Sequence, residues 1–153
     1  MKIRIFDRAS GYTGYSRNIS GLAMALADLG VDVKVIQQKT DEYFPDKLKP
    51  LMEYNQQKAF QDIDKDTVVM GRTFAGIEGL RSFNPKMICT ILVLEGDRIP
   101  EDWVARANMC DQVWASSTYN KEMLIKNGVA CDIAVIHHGF DQEIYYSKWD
   151  KHE

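Results

Sequence analysis

A chain of 153 residues with 45% hydrophobic content is sized for one domain around a single core and leaves no room for a second full domain. Its 19 basic and 22 acidic residues give a formal net charge of -3, so the basic excess that marks nucleic-acid binders is missing and no polyanion partner is expected. Cys89, Cys110 and Cys131 are odd in number and far apart, a spacing that argues against a zinc site and for reduced, buried thiols.

Lys2 to Phe6 is a short β-type run that empties into Asp7-Arg8-Ala9-Ser10-Gly11-Tyr12-Thr13-Gly14, a loop with two glycines. Ile19, Leu22, Ala23 and Leu26 then recur at the i, i+3, i+4, i+7 spacing of one helical face, and Gly30 stands where that helix should end. Val31 to Ile36 supplies a second strand, so the stretch from Lys2 to Ile36 reads as a βαβ crossover. From Thr40 to Asp66 charge, proline and glutamine are mixed, and the pattern supports only a helix from Leu51 to Phe60. Thr67 to Gly71 reads as a strand feeding another loop. Met87 to Leu94 is the nearly continuous apolar run of a central parallel strand, and both of these strands are expected to be buried on two faces.

After Leu94 comes the polar loop Glu95-Gly96-Asp97-Arg98, then Pro100-Glu101-Asp102 opening a helix with Trp103 and Ala107 on one side. Proline and acids suit a first turn, where one amide needs no partner and the helix dipole favours negative charge. Gln112 to Ala115 is the next strand, Ser117 its following N-cap, Tyr119 to Asn127 a helix, Gly128 the stop, and Ile133 to Ile136 the last strand. The expected fold is α/β: a single Rossmann-like domain over residues 1–147, a parallel sheet with helices on both faces, and a charged tail at 148–153. In such a sheet the loops leaving the carboxyl ends of the strands form the ligand crevice. Here they hold Asp7 to Gly14, Gly71 to Gly76, Glu95 to Arg98, Ser116 to Thr118 and His137 to Asp141. The longest apolar runs fall far short of the roughly 20 residues a membrane helix needs. The start meets Asp7 and Arg8 too soon for a secretory signal. The chain is therefore expected to be cytoplasmic, with no transmembrane segment.

The Gly11-Tyr12-Thr13-Gly14-Tyr15 loop with its Leu22-Ala23 to Leu29-Gly30 helix, the Leu94-Glu95-Gly96-Asp97-Arg98-Ile99-Pro100 segment, the Asp111 to Ser117 strand, Gly128-Val129 and the closing His138-Gly139-Phe140-Asp141 form an ordered set. In that order they resemble the N-terminal domain of GT-B fold glycosyltransferases, most closely the family 4 group, over nearly the whole chain. One departure is Gly96, where related sequences often carry a threonine after the glutamate. In the enzymes this chain resembles, the N-terminal domain mainly binds the acceptor, while the C-terminal domain holds most nucleotide-sugar contacts and a characteristic pair of glutamates. The resemblance therefore implies the acceptor-binding half of a transferase moving a sugar from a nucleotide-sugar donor to a sugar or other hydroxyl acceptor. It implies no cofactor and no metal, and no activity without a C-terminal donor domain. Residues 148–153 would fall at the interdomain linker, and a separate C-terminal domain or a homo-oligomer would cover the open side. The alternative is a standalone α/β ligand-binding or regulatory module that keeps the fold without the chemistry.

Each candidate residue has a plain structural reading beside the functional one. Gly11 and Gly14 either bring backbone amides at a helix N-terminus close to a phosphate or sugar hydroxyl, or only make a tight turn. Glu95 is the expected catalytic-site carboxylate, positioning an acceptor hydroxyl rather than abstracting its proton, and Asp97 and Arg98 join it as substrate-binding residues or pair as loop charges. Ser117 matches the family's serine and also suits a helix cap. His138 and Gly139 take the family's cleft-lining position. His137, its neighbour in an extended segment, points the other way, so the two histidines cannot chelate one metal as a pair. Tyr12, Thr13 and Tyr15 sit with the glycines, and the two tyrosines are the candidates for stacking on a sugar ring. Arg72 reads as a surface residue and Trp103 as core.

Overall fold

The computed structural model describes residues 1–38, 43–72 and 77–139. Seven strands are described: β1 (Lys2–Phe6), β2 (Asp32–Ile36), β3 (Met52–Glu53), β4 (Thr67–Gly71), β5 (Met87–Leu92), β6 (Gln112–Ala115) and β7 (Asp132–Val135). All pair in parallel in one sheet of order β3-β2-β1-β4-β5-β6-β7. Five α-helices connect them: α1 (Gly14–Asp28), α2 (Gln56–Gln61), α3 (Ile77–Arg81), α4 (Glu101–Ala107) and α5 (Thr118–Lys126). The fold is the expected Rossmann-like α/β arrangement.

Side chains alternate across a strand, and here the alternation feeds two cores. On one face Ile3, Ile5, Val33, Val35 and Met70 pack under Ile19 and Ala23 of α1. On the other, Val69, Ile88, Val113 and Ile133 pack under Phe60 of α2, Leu80 of α3, Ala107 of α4 and Leu124 of α5. Helices thus cover both faces, and β4 and β5 are buried on both sides, as their apolar runs predict. The chain winds from β1 toward one edge and then returns from β4 toward the other. Strand order therefore reverses between β1 and β4, the place where sheets of this kind open a crevice at their carboxyl end. Gly30 and Gly128 end α1 and α5 with φ of 77° and 94°, a backbone region that glycine enters without steric penalty.

Two expectations are corrected. The segment read as a helix from Leu51 to Phe60 is instead a 3-10 helix over Asp46–Leu51, the strand β3 and then α2. Pairing of Val35 with Met52 draws the chain into the sheet, and the Asn55 side chain caps α2 by accepting from the Lys58 amide at 3.0 Å. Trp103 is 42% exposed rather than core, because Val104 and Ala107, an i, i+3 pair on the same short helix, face the sheet. Helix α3 had no sequence counterpart. Thr73 to Gly76, Phe140, Asp141 and the tail at 148–153 lie outside the described residues. Among the described residues no helix is long and apolar enough to cross a membrane.

The amino-terminal edge of the sheet is tied by ion pairs. Arg4, buried in β1, donates from Nε to Asp62 at 2.6 Å and from Nη2 to Asp32 at 3.1 Å. Lys2 Nζ donates to Asp64 at 2.7 Å, and Asp64 also accepts from the Thr67 hydroxyl at 2.8 Å and the Asp66 amide at 3.0 Å. The Lys2 bond first, then these two, hold the Asp64 carboxyl down at about 2, against an ordinary value of roughly 3.9 in an unfolded chain. A depressed carboxylate stabilises the fold fully above the unfolded value, and that contribution is lost as pH falls through the folded one. We therefore expect urea midpoints to hold steady down to about pH 4 and then fall toward about pH 2. Asp64→Asn should flatten part of that fall, and an identical acid profile in the variant would remove Asp64 from the explanation.

Burial pushes the thiols of Cys89 and Cys110 up to about 12, and it also raises that of Cys131, which is only half-buried. Since the thiolate is the nucleophile, iodoacetamide at mildly alkaline pH should label Cys131 first in the folded protein and leave the other two largely unmodified. Peptide mass spectrometry before and after urea reads this directly. Equal labelling of all three without denaturant would contradict the burial.

Candidate functional site

The crevice between β1 and β4 begins with a carboxylate and a guanidinium that leave the ends of the two strands side by side. Asp7, just past β1, is 4% exposed at its side chain, and Arg72, just past β4, is 20% exposed. Arg72 donates from Nε to Asp7 Oδ2 at 2.7 Å and from Nη2 to Asp7 Oδ1 at 2.6 Å, and its backbone amide adds a third bond to Oδ2 at 3.0 Å. A planar fork on a planar carboxylate is the strongest form of such a pair and fixes both side chains in orientation. The surface reading of Arg72 is therefore corrected. No sequence spacing links residues 65 apart, so the signal was not there to find.

From Asp7 the chain crosses the mouth of the crevice. The Ala9 amide donates to the buried Gln37 side chain at 2.7 Å, and the Gly11 amide donates to the Tyr43 carbonyl at 2.8 Å, so the loop after β1 is anchored to the segment after β2. Gly11 has φ of 93°, which an L side chain adopts only under strain. Thr13 then caps α1, its hydroxyl oxygen accepting from the Ser16 amide at 3.1 Å. The positive end of the α1 dipole opens on the crevice. Gly14 is different: it is the first residue of α1, and a Cβ there would meet nothing within 4 Å. Sterics require glycine at the first of the pair and not at the second.

Between these elements lies a cleft of about 370 Å³ whose lining includes Arg8, Gly11, Tyr12, Tyr15, Tyr43 and Arg72. Tyr15 lies under the Arg72 guanidinium, whose carbon is 4.7 Å from the ring centroid, a cation–π contact. The Tyr15 hydroxyl donates to Glu95 Oε1 at 3.2 Å. Partial burial and then the Glu95 bond raise the Tyr15 phenol above its ordinary value, so it stays a proton donor well into alkaline pH. Glu95, exposed on the loop after β5, is thereby tied to the crevice through Tyr15. One polar chain runs Asp7, Arg72, Tyr15, Glu95 across the ends of β1, β4, α1 and β5.

The remaining candidates share the carboxyl edge of the sheet without lining this cleft. Asp97 and Arg98 are exposed, and their loop is held from behind by Asn127, which donates to the Asp97 carbonyl at 3.0 Å and accepts from the Ile99 amide at 3.1 Å. Ser117 caps α5, accepting from the Asn120 amide at 3.1 Å. Asn120 itself is buried and pins Leu94 through both backbone groups at 3.2 and 3.0 Å, a positioning role for the Glu95 loop that sequence reading missed. His137 Nδ1 lies 3.1 Å from the Ser116 carbonyl, while His138 and Gly139 are exposed. Among the described residues no group of three or more His, Cys, Asp or Glu side chains is arranged to hold a metal ion.

No family model matches the chain, and no curated protein matches it.

Proposed function

We propose that this chain is the acceptor-binding part of a GT-B-type glycosyltransferase, and that the cleft at the β1/β4 reversal receives a sugar or another hydroxyl-bearing acceptor. The carrying observation is the polar chain that ends on Glu95 beside a tyrosine-lined cleft at the switch point of the sheet. With Tyr15 fixed on Oε1, the second carboxylate oxygen of Glu95 is offered to an acceptor hydroxyl, which it orients toward the donor. Arg72 is committed to Asp7 and Tyr15, so its role is to rigidify the cleft wall. The nucleotide-sugar donor would come from an opposing C-terminal domain, as the family resemblance implies. The resemblance, the fold class and the position of the cleft support this reading together.

The test is titration calorimetry with a panel of saccharide acceptors and nucleotide-sugars. Acceptors are expected to bind without a donor, and Glu95→Gln is expected to weaken them by roughly tenfold, the loss of one charge-assisted hydrogen bond. Nucleotide binding with no response to any saccharide would sink the reading and leave a ligand-binding or regulatory module of the same fold.

A further inference from the structure

Tyr12 and Tyr43 come from different loops, yet their rings stack with centroids 5.4 Å apart and planes within 2° of parallel. They remain 70% and 58% exposed at the rim of the cleft. Their alignment is built in from below: Gly11, the residue before Tyr12, donates its amide to the carbonyl of Tyr43, which couples the two loops at the base of both side chains. Two large aromatic side chains held parallel in solvent, each with a face free of the other, bury little apolar surface in each other. The same arrangement is well suited to covering the face of a ring-shaped ligand, because the aromatic side chains need little further ordering on binding.

We infer that the outer face of Tyr12, backed by the stacked Tyr43 ring, is a stacking platform for the apolar face of a pyranose ring at the mouth of the cleft. The inference rests on the sugar-handling reading above and deepens it by separating two jobs. Tyr15 is a strut, one face of its ring under Arg72 and its hydroxyl committed to Glu95. Tyr12 is the stacking surface and Tyr43 the ring that backs it. A ring seated there would keep its equatorial hydroxyls at its edge, where Arg8, Ser10 and Thr13 line the same cleft. The C–H face of the sugar would lie on the electron-rich outer face of Tyr12.

The experiment is NMR titration of the full chain, with tyrosine ring resonances and the amides of Gly11 and Thr13 followed as methyl glucopyranoside, methyl galactopyranoside and uridine monophosphate are added in turn. A pyranoside is expected to shift the ring signals of Tyr12 and Tyr43. Tyr12→Ala should weaken that binding by roughly tenfold, and Tyr43→Ala, which removes only the backing ring, by less. Tyr43→Phe, which keeps the ring, should leave it unchanged. Shifts confined to the Gly11 and Thr13 amides would overturn the platform while leaving a sugar site standing. Ring shifts with the nucleotide alone would overturn the pyranose assignment. Silence toward both pyranosides at every probe would overturn the platform and the sugar reading together. Unchanged amide spectra of the two alanine variants away from the cleft serve as the check on folding.

Discussion

Arg72→Ala is expected to lower the stability of the folded chain by about 3 kcal/mol, at the lower end of what removing one member of a buried pair costs. The lower end applies because Arg72 retains some exposure, whereas Asp7 is nearly sealed. The loss comes mostly from what stays behind: an Asp7 carboxylate that loses both guanidinium donors and keeps only the backbone amides of residues 8 and 72. Tyr15 also loses the cation above its ring, so acceptor affinity should fall with stability. Chemical denaturation of the single variants Arg72→Ala and Asp7→Ala and of the double variant reads the coupling. The double variant should lose much less than the sum of the singles, since it leaves no orphaned charge. Strict additivity would mean that the two side chains act independently, and the crevice would then need another explanation for its rigidity.

Gly71→Ala should destabilise the protein by about 2 kcal/mol through overpacking. A Cβ at Gly71 would stand 2.7 Å from the Phe6 carbonyl oxygen, which is backbone and cannot swing aside. Gly71 is also the last residue of β4, its carbonyl accepting from the Thr90 hydroxyl at 2.8 Å. Relief by moving β4 would disturb that bond, and relief by moving β1 would shift Asp7. Either movement changes the spacing of Asp7 and Arg72, so the variant should bind acceptor more weakly even under conditions where it is fully folded. Gly14→Ala is the matched control, because the added methyl meets open space in a helix. A thermal melt that places both variants together would show that the seam between the two strands tolerates a side chain.

The sheet was legible in the chain because its strands are short apolar runs closed by glycine or charge. Lys2 to Phe6, Thr67 to Gly71 and Gln112 to Ala115 coincide with β1, β4 and β6. The Ser117 cap and the Gly128 stop were read from residue chemistry that acts locally. The region between β2 and β4 was opaque for a physical reason: a two-residue strand and two helices of six residues carry too few turns for a period to emerge. Trp103 failed on an ambiguity of the same kind. In a helix of seven residues, Ala107 is matched at i, i+4 by Trp103 and at i, i+3 by Val104, and only tertiary packing selects the second. Of the cleft, the glycine loop with Tyr12, Thr13 and Tyr15 was legible, since it lies in one stretch of chain. Arg72 and Tyr43 were not, because they reach the cleft from other strands and their partners lie far off in sequence.

The reversal of strand order between β1 and β4 also fixes when the crevice can exist during synthesis. The unit from β1 through β2 assembles from near neighbours, but the two rims at Asp7 and Arg72 are 65 residues apart. Closing so long a loop carries an entropic cost that must be met before the contact it enables gives anything in return. A nascent chain that has emerged only as far as β2 therefore owns one rim and no cleft, and the crevice becomes a late acquisition of the growing polypeptide.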